Sequence, residues 1–287
     1  MKMYLNGLII EEEEALLPIQ DRGVLFGDGL FETIRAYDGS PFRLDRHLER
    51  LRRGCEILGL AGLPEGAELE SAVSHLYHLN VKEGDAYVRI TLTGGPYDGS
   101  KHLERPGRPN LFILVKPYEG YPDNFYEHGM RMVVSRIRRN STSPITRIKS
   151  NNYLEALIAK QEAQSRGADD AVFLNERDHL TEAGSANLFW VRRGSVFTPE
   201  VGCGLLPGIT RETVLEICKQ LDITCREGCY LLPELAGADE AFITVSTGEI
   251  VPVAELEGRV IGGTFPGPVT TRLAAAYRDL VRRELAL

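Results

Sequence analysis

The stretch from Lys116 to Gly129 limits the fold more than any other part of the chain. Pro117 and Pro122 remove backbone donors, and Gly120 and Gly129 raise the entropy cost of order, so neither a helix interior nor a central strand runs through it. Patterned sequence lies on both sides, and 287 residues are more than one hydrophobic core usually serves. The expected organisation is a smaller domain over 1–117, a linker over 118–129 and a larger domain over 130–287.

In the first domain, Asp38-Gly39 is a strong hairpin signal. Asp45 is placed to cap a helix whose Leu48, Leu51, Cys55 and Leu58 recur at helical spacing, and Leu69, Val73 and Leu76 mark a second helix. Residues 86–93 alternate Val88, Ile90 and Leu92 with Arg89, Thr91 and Thr93, while 111–115 is a continuous apolar run, so paired strands of a small α+β domain are expected. In the second domain the pattern predicts a strand over 130–135. A helix follows from about Asn152 to Arg166, packed through Leu154, Leu157 and Ile158 and stopped by Gly167. Strands follow at 171–174, 187–191, 196–198 and 241–245, with a helix after Pro207-Gly208 and a closing helix from Thr270.

A net charge of −8 argues against a nucleic-acid partner, whose phosphates require a basic face, and leaves a small molecule as the expected ligand. No apolar run approaches the ~18 residues of a membrane span, and Met1–Gly7 enters a strand-like segment directly, so a cytoplasmic protein is expected. The cysteines (Cys55, Cys203, Cys218, Cys225, Cys229) are odd in number and lack C-x-x-C spacing, which points to free thiols. Cys225 and Cys229 offer half a metal site, but no matching Cys/His pair lies near them in sequence, so no metal is expected.

Lys149 stands among polar residues just ahead of a helix. A surface lysine would look the same; a Schiff-base lysine also has to be desolvated and its amine pKa lowered. Glu182 lies beside Ala183-Gly184-Ser185-Ala186, small residues that let a flat ligand approach the backbone, although a turn glutamate is commonly just exposed. Gly204 to Glu212 runs from a glycine-bearing loop into a helix, where unpaired amides suit a phosphate; alternatively Thr210 merely caps that helix. Ser246-Thr247 adds hydroxyls at a strand-end turn. Arg46, Arg50 and Arg53 form a basic stripe, which is either solvated or turned inward at one position.

In order along the chain, Phe26-Gly27-Asp28-Gly29-Leu30-Phe31-Glu32-Thr33-Ile34-Arg35, His47-Leu48-Glu49-Arg50-Leu51 and Lys149-Ser150-Asn151-Asn152-Tyr153-Leu154 resemble the class IV aminotransferases. So do Glu182 with Gly184 and Asn187-Leu188-Phe189, Gly208-Ile209-Thr210-Arg211, and Ser246-Thr247. This group comprises the branched-chain aminotransferases, the D-amino acid aminotransferases and the aminodeoxychorismate lyases. The resemblance implies a mixed α/β, two-domain, D-amino acid aminotransferase-like fold (fold type IV) and a homodimer. It also implies pyridoxal 5′-phosphate (PLP) bound to Lys149 as a Schiff base, with Lys149 moving the substrate Cα proton. Glu182 would hold the pyridine nitrogen protonated. Arg50, the amides of Ile209 and Thr210, and the Ser246 and Thr247 hydroxyls would hold the phosphate, and Tyr153 the phenolic oxygen. Phe31, Arg89 and Gly184 are the substrate-side candidates.

The resemblance implies amino transfer between a small amino acid and a 2-oxo acid, with aminodeoxychorismate lyase activity as the alternative. A PLP-binding protein without catalysis ranks far behind, because phosphate binding requires neither Lys149 nor Glu182. Branched-chain members often read Phe-Glu-Gly-Ile-Arg where this chain has Phe31-Glu32-Thr33-Ile34-Arg35, and D-amino acid enzymes carry Arg-Gly where it has Gly94-Gly95. Asn187-Leu188-Phe189-Trp190 and Thr198-Pro199 resemble the lyases.

Overall fold

The computed structural model describes residues 1–99 and 108–287. Its contacts divide the chain into two compact units, Met1–Glu119 with Ile148–Asn152, and Gly120–Arg147 with Tyr153–Leu287.

The first unit contains β1 (Lys2–Leu5), β2 (Leu8–Glu11), α1 (Arg22–Phe26), β3 (Gly29–Tyr37), β4 (Ser40–Pro41), α2 (Leu44–Leu58), α3 (Gly66–Asn80), β5 (Ala86–Thr93) and β6 (Leu111–Pro117). The strands form an antiparallel sheet in the order β2-β1-β6-β5-β3-β4. Alternation places Val88, Ile90 and Leu92 on one face, where they meet Leu30, Ile34 and the apolar sides of α2 and α3. Asp38 (φ 44°) and Gly39 (φ 85°) turn β3 into β4 as expected, and a Cβ at Gly39 would stand 2.6 Å from the Tyr77 ring. Asp45 does not cap α2. The N-cap is Arg43, so Asp45 lies in the first turn and acts on the helix dipole instead.

The Lys149 segment belongs to this unit although it follows the linker region in sequence. Phe31 N donates to the Lys149 carbonyl (2.9 Å) and Asn151 N to the Gly29 carbonyl (2.9 Å), so 148–152 lies along the start of β3.

The second unit contains α4 (Asp123–Glu127), β7 (Met130–Arg139), α5 (Leu154–Ser165), β8 (Asp170–Asn175), β9 (Leu180–Ala183), β10 (Asn187–Arg192), β11 (Ser195–Pro199), α6 (Ile209–Gln220), β12 (Cys225–Gly228), α7 (Leu232–Ala236), β13 (Glu240–Val245), β14 (Glu249–Leu256), β15 (Arg259–Val260) and α8 (Pro268–Leu285). Of the expected linker 118–129, residues 118 and 119 count with the first unit, while 120–129 include α4 and count with this one. The sheet runs β12-β11-β10-β13-β14-β7-β8-β9, and the pairing of Glu182 with Asn187 joins β9 back to β10. Strands β10, β13, β14, β7, β8 and β9 therefore form a closed circuit around a core that includes Trp190, Leu188, Ile243 and Val251.

Helix α5 is rotated from its expected orientation. Ala156, Ala159 and Ala163 are buried, while Leu154, Leu157 and Ile158 are 65%, 56% and 46% exposed. Alanines let the helix backbone approach β7 and β8 closely, where Val133, Ala171 and Phe173 fill the contact, and the larger side chains point outward. Among the described residues no helix is long and apolar enough to cross a membrane.

Candidate active site

In the first unit, β3 and α2 set Phe31, Glu32, His47 and Arg50, and the 148–152 segment sets Lys149. The Lys149 Nζ lies 4.7 Å from the centre of the Phe31 ring, and the Arg89 guanidinium lies 3.9 Å from the same ring. Register explains this meeting, since Arg89 on β5 faces Thr33, two residues along the same face of β3 from Phe31. Lys149, Phe31 and Arg89, at least 58 residues apart along the chain, are thus neighbours.

His47 and Arg50 are three apart on α2 and point the same way. Arg50 donates from Nε (2.8 Å) and Nη2 (2.6 Å) to the two oxygens of Glu32, and His47 Nδ1 donates to Glu32 Oε2 (2.7 Å). Glu32 is wholly buried. Burial alone would raise its pKa, but Arg50 above all, with the His47 contact, holds it down at about 2. Burial lowers the His47 imidazole from its ordinary value despite the carboxylate beside it. The basic stripe therefore divides: Arg50 turns inward, Arg46 is half-buried, and Arg53 is exposed and pairs with Glu49.

This network makes stability depend on acidity. The folded-state pKa of Glu32 lies below its ordinary 4.5, so its contribution is complete above pH ~4.5 and disappears as pH falls toward ~2, on the order of 3 kcal/mol in all. His47, lowered from 6.5, adds a loss that begins below pH ~6.5. Denaturant midpoints measured from pH 7 to 2 should fall less steeply across the acid range for Glu32→Gln than for the unaltered protein. Parallel curves would contradict the assignment.

In the second unit, Glu182, Asn187 and Thr244 form a row across β9, β10 and β13. Glu182 Oε2 accepts from Leu206 N (3.2 Å) and Asn187 Nδ2 (3.3 Å), and Asn187 Nδ2 also reaches the Leu206 carbonyl (2.8 Å). Asn187 thereby fixes a buried carboxylate to the loop that enters α6. A Cβ at Gly208 would stand 2.0 Å from Asn187 Oδ1, so this approach requires glycine. Arg139 Nη2 lies 3.6 Å from Glu182 Oε1.

Helix α6 begins after Gly208 with no side-chain cap, so Thr210 is its second residue and not its cap. Its first amides carry the positive end of a twelve-residue helix dipole, an arrangement suited to a phosphate. Thr244 Oγ1 is buried without a hydrogen-bond partner, and Ser246 and Thr247 lie on the turn just beyond it. Burial raises the Tyr153 hydroxyl above its usual range against a hydrogen bond to Ser185. Gly184 has a local reason to be glycine, because a Cβ there would stand 2.4 Å from Asp170 Oδ1. Burial pushes that aspartate's carboxyl up.

The sequence reading did not single out Glu32, His47, Asn187, Arg139 or Asp170 as site residues. His47 and Arg50 at helical spacing were a usable signal, and so was Asn187 at the head of an apolar strand. Arg139 and Asp170 carry no local signal, because only strand pairing brings them to Glu182 and Gly184.

The family model for amino-transferase class IV matches residues 29–256. The chain is 33% identical to an aminodeoxychorismate lyase of Bacillus subtilis (strain 168), over 98% of this chain and 94% of that protein. It is also 33% identical to a D-alanine aminotransferase of Bacillus licheniformis, over 100% of this chain and 99% of the other. The crystal structure of a branched-chain aminotransferase from Thermoproteus uzoniensis with norvaline superposes with a TM-score of 0.90 at 36% identity, covering 98% of this chain and 94% of that one.

Proposed function

Because the chain belongs to the class IV aminotransferases, a PLP-dependent family, we propose that it is a transaminase exchanging an amino group between a small amino acid and a 2-oxo acid. The residues present fit the cofactor chemically. A buried carboxylate suits a protonated ring nitrogen, and an uncapped helix start near the orphaned Thr244 hydroxyl suits a phosphate dianion. When bound, PLP supplies an electron-withdrawing ring that takes up the charge left on removal of the substrate Cα proton.

Lys149 would hold the cofactor covalently; once the substrate amine takes its place in that link, the released Nζ would accept and return the Cα proton. Glu182 keeps a proton on the ring nitrogen, its carboxylate steadied by Leu206 N and Asn187. The Ile209 and Thr210 amides, with the Ser246 and Thr247 hydroxyls, donate to the phosphate. Arg50 adds a cation whose orientation Glu32 fixes in advance. Tyr153 donates to the phenolic oxygen. Arg89, stacked on Phe31 beside Lys149, orients the substrate carboxylate, and Gly184 lets the ligand lie close to the backbone. The same reading implies a cytoplasmic homodimer.

The observation that carries this proposal is the buried Glu182, tied through Leu206 and Asn187 to the strand edge and loop from which α6 starts. The test is a half-reaction screen with L- and D-amino acids. A small amino acid should remove the visible absorbance of the lysine-bound cofactor, and a 2-oxo acid should restore it. The similarity to the B. subtilis lyase supports the second reading, pyruvate elimination from aminodeoxychorismate. Pyruvate release without amino transfer would replace the transaminase by it.

A further inference from the structure

A cluster in the second unit takes no part in this chemistry. The ligand-capable atoms of His179, Cys203 and Cys229 all lie within 4.8 Å of one another. The two sulfurs are 3.5 Å apart, and Glu200 Oε1 accepts from the Cys229 thiol at 3.3 Å. A tetrahedral zinc with Zn–S bonds of ~2.3 Å holds its sulfurs roughly 3.8 Å apart, so the thiols already stand near ligand spacing. The imidazole has to close in by at most about 1.2 Å on the same geometry.

The segments bearing these groups are fastened to one another by hydrogen bonds. The Asn175 side chain accepts from His179 N (3.0 Å) and donates to the Cys203 carbonyl (3.1 Å), holding the His179 turn against the Cys203 loop. Glu200 N donates to the Gly228 carbonyl (3.0 Å) and Leu180 N to the Tyr230 carbonyl (2.8 Å), which brackets Cys229 from both sides. Local unfolding is therefore not needed to assemble the cluster. Cys225, the partner suggested by sequence spacing, is not among these ligands; Cys229 instead meets residues 26 and 50 positions earlier.

We propose that His179, Cys203 and Cys229 form a binding site for a soft divalent cation of the zinc class, with the Glu200 carboxylate beside the fourth position. Two sulfurs and an imidazole select such a cation over magnesium or calcium, which require oxygen ligands. On binding, each thiol releases its proton to solvent and the cation takes the two thiolates and the neutral imidazole. His179 directly precedes β9, which carries Glu182, and Cys203 lies three residues before Leu206, which donates to Glu182. The bound cation clamps together the two segments that position that carboxylate.

The experiment titrates cobalt(II) into the full chain, kept reduced with a phosphine. One equivalent should produce a thiolate-to-metal absorption band and the visible bands of tetrahedral cobalt, and zinc should abolish both. Cys229→Ser and His179→Ala should lose or greatly weaken the bands, whereas Cys225→Ser should retain them. Cys229 is exposed, so its substitution leaves the fold intact and keeps the comparison valid. Absence of the bands, or bands of equal strength in Cys229→Ser, overturns the proposal. A reduced chain that binds no cobalt yet forms a Cys203–Cys229 disulfide on oxidation overturns it as well, and makes the pair a redox couple.

Discussion

Replacing Lys149 with alanine is expected to abolish turnover and the visible absorption of the bound cofactor while leaving the chain folded. The main-chain pairing that seats the segment on β3, Phe31 N to the Lys149 carbonyl and Asn151 N to the Gly29 carbonyl, does not involve the side chain. On the proposed function, the covalent attachment and the proton carrier would disappear together. A positioned acid–base group alone supplies ~10²–10⁴ in rate, so a loss of at least about 10³-fold is expected. Circular dichroism and steady-state kinetics on one preparation decide it. A folded variant that keeps both the band and the activity would remove Lys149 from the mechanism.

Glu182→Gln should retain the cofactor and slow the proton-transfer step by roughly 10²–10³-fold, the size of effect seen when one preorganised electrostatic partner is removed. The amide keeps one oxygen that can accept from Leu206 N and Asn187, so the loop before α6 stays in place. On the proposed function, the missing element would be the negative charge that holds a proton on the ring nitrogen. Stopped-flow half-reactions with and without deuterium at the substrate Cα isolate that step. Rates equal to those of the unaltered protein would show that Glu182 does not face the ring nitrogen.

The sequence made the local elements legible because their signals are local. The alternation of residues 86–93, the Asp38-Gly39 turn and the helix after Pro207-Gly208 all stand where their patterns put them. Helix α5 shows where the pattern misleads: large apolar side chains were expected inside, but the close approach of the helix to β7 and β8 favours Ala156, Ala159 and Ala163. The site was legible as motifs and not as geometry. Nothing local distinguishes Arg50 from Arg53; the difference is Glu32, a buried carboxylate on another element. Asn187 likewise takes its meaning from pairing with both Glu182 and Thr244, a relation set by strand order. The proximity of Cys229 to Cys203 and His179 is not visible in the sequence for the same reason, since the three are distant along it.

The central claim is that the lysine held against β3 carries the cofactor. Borohydride reduction of the PLP-loaded enzyme traps the lysine–cofactor linkage, and peptide mass analysis then locates it. A phosphopyridoxyl group is expected on the peptide containing Lys149, with other lysines unmodified. Labelling of a different lysine, or no label on an enzyme that is active with PLP, would contradict it.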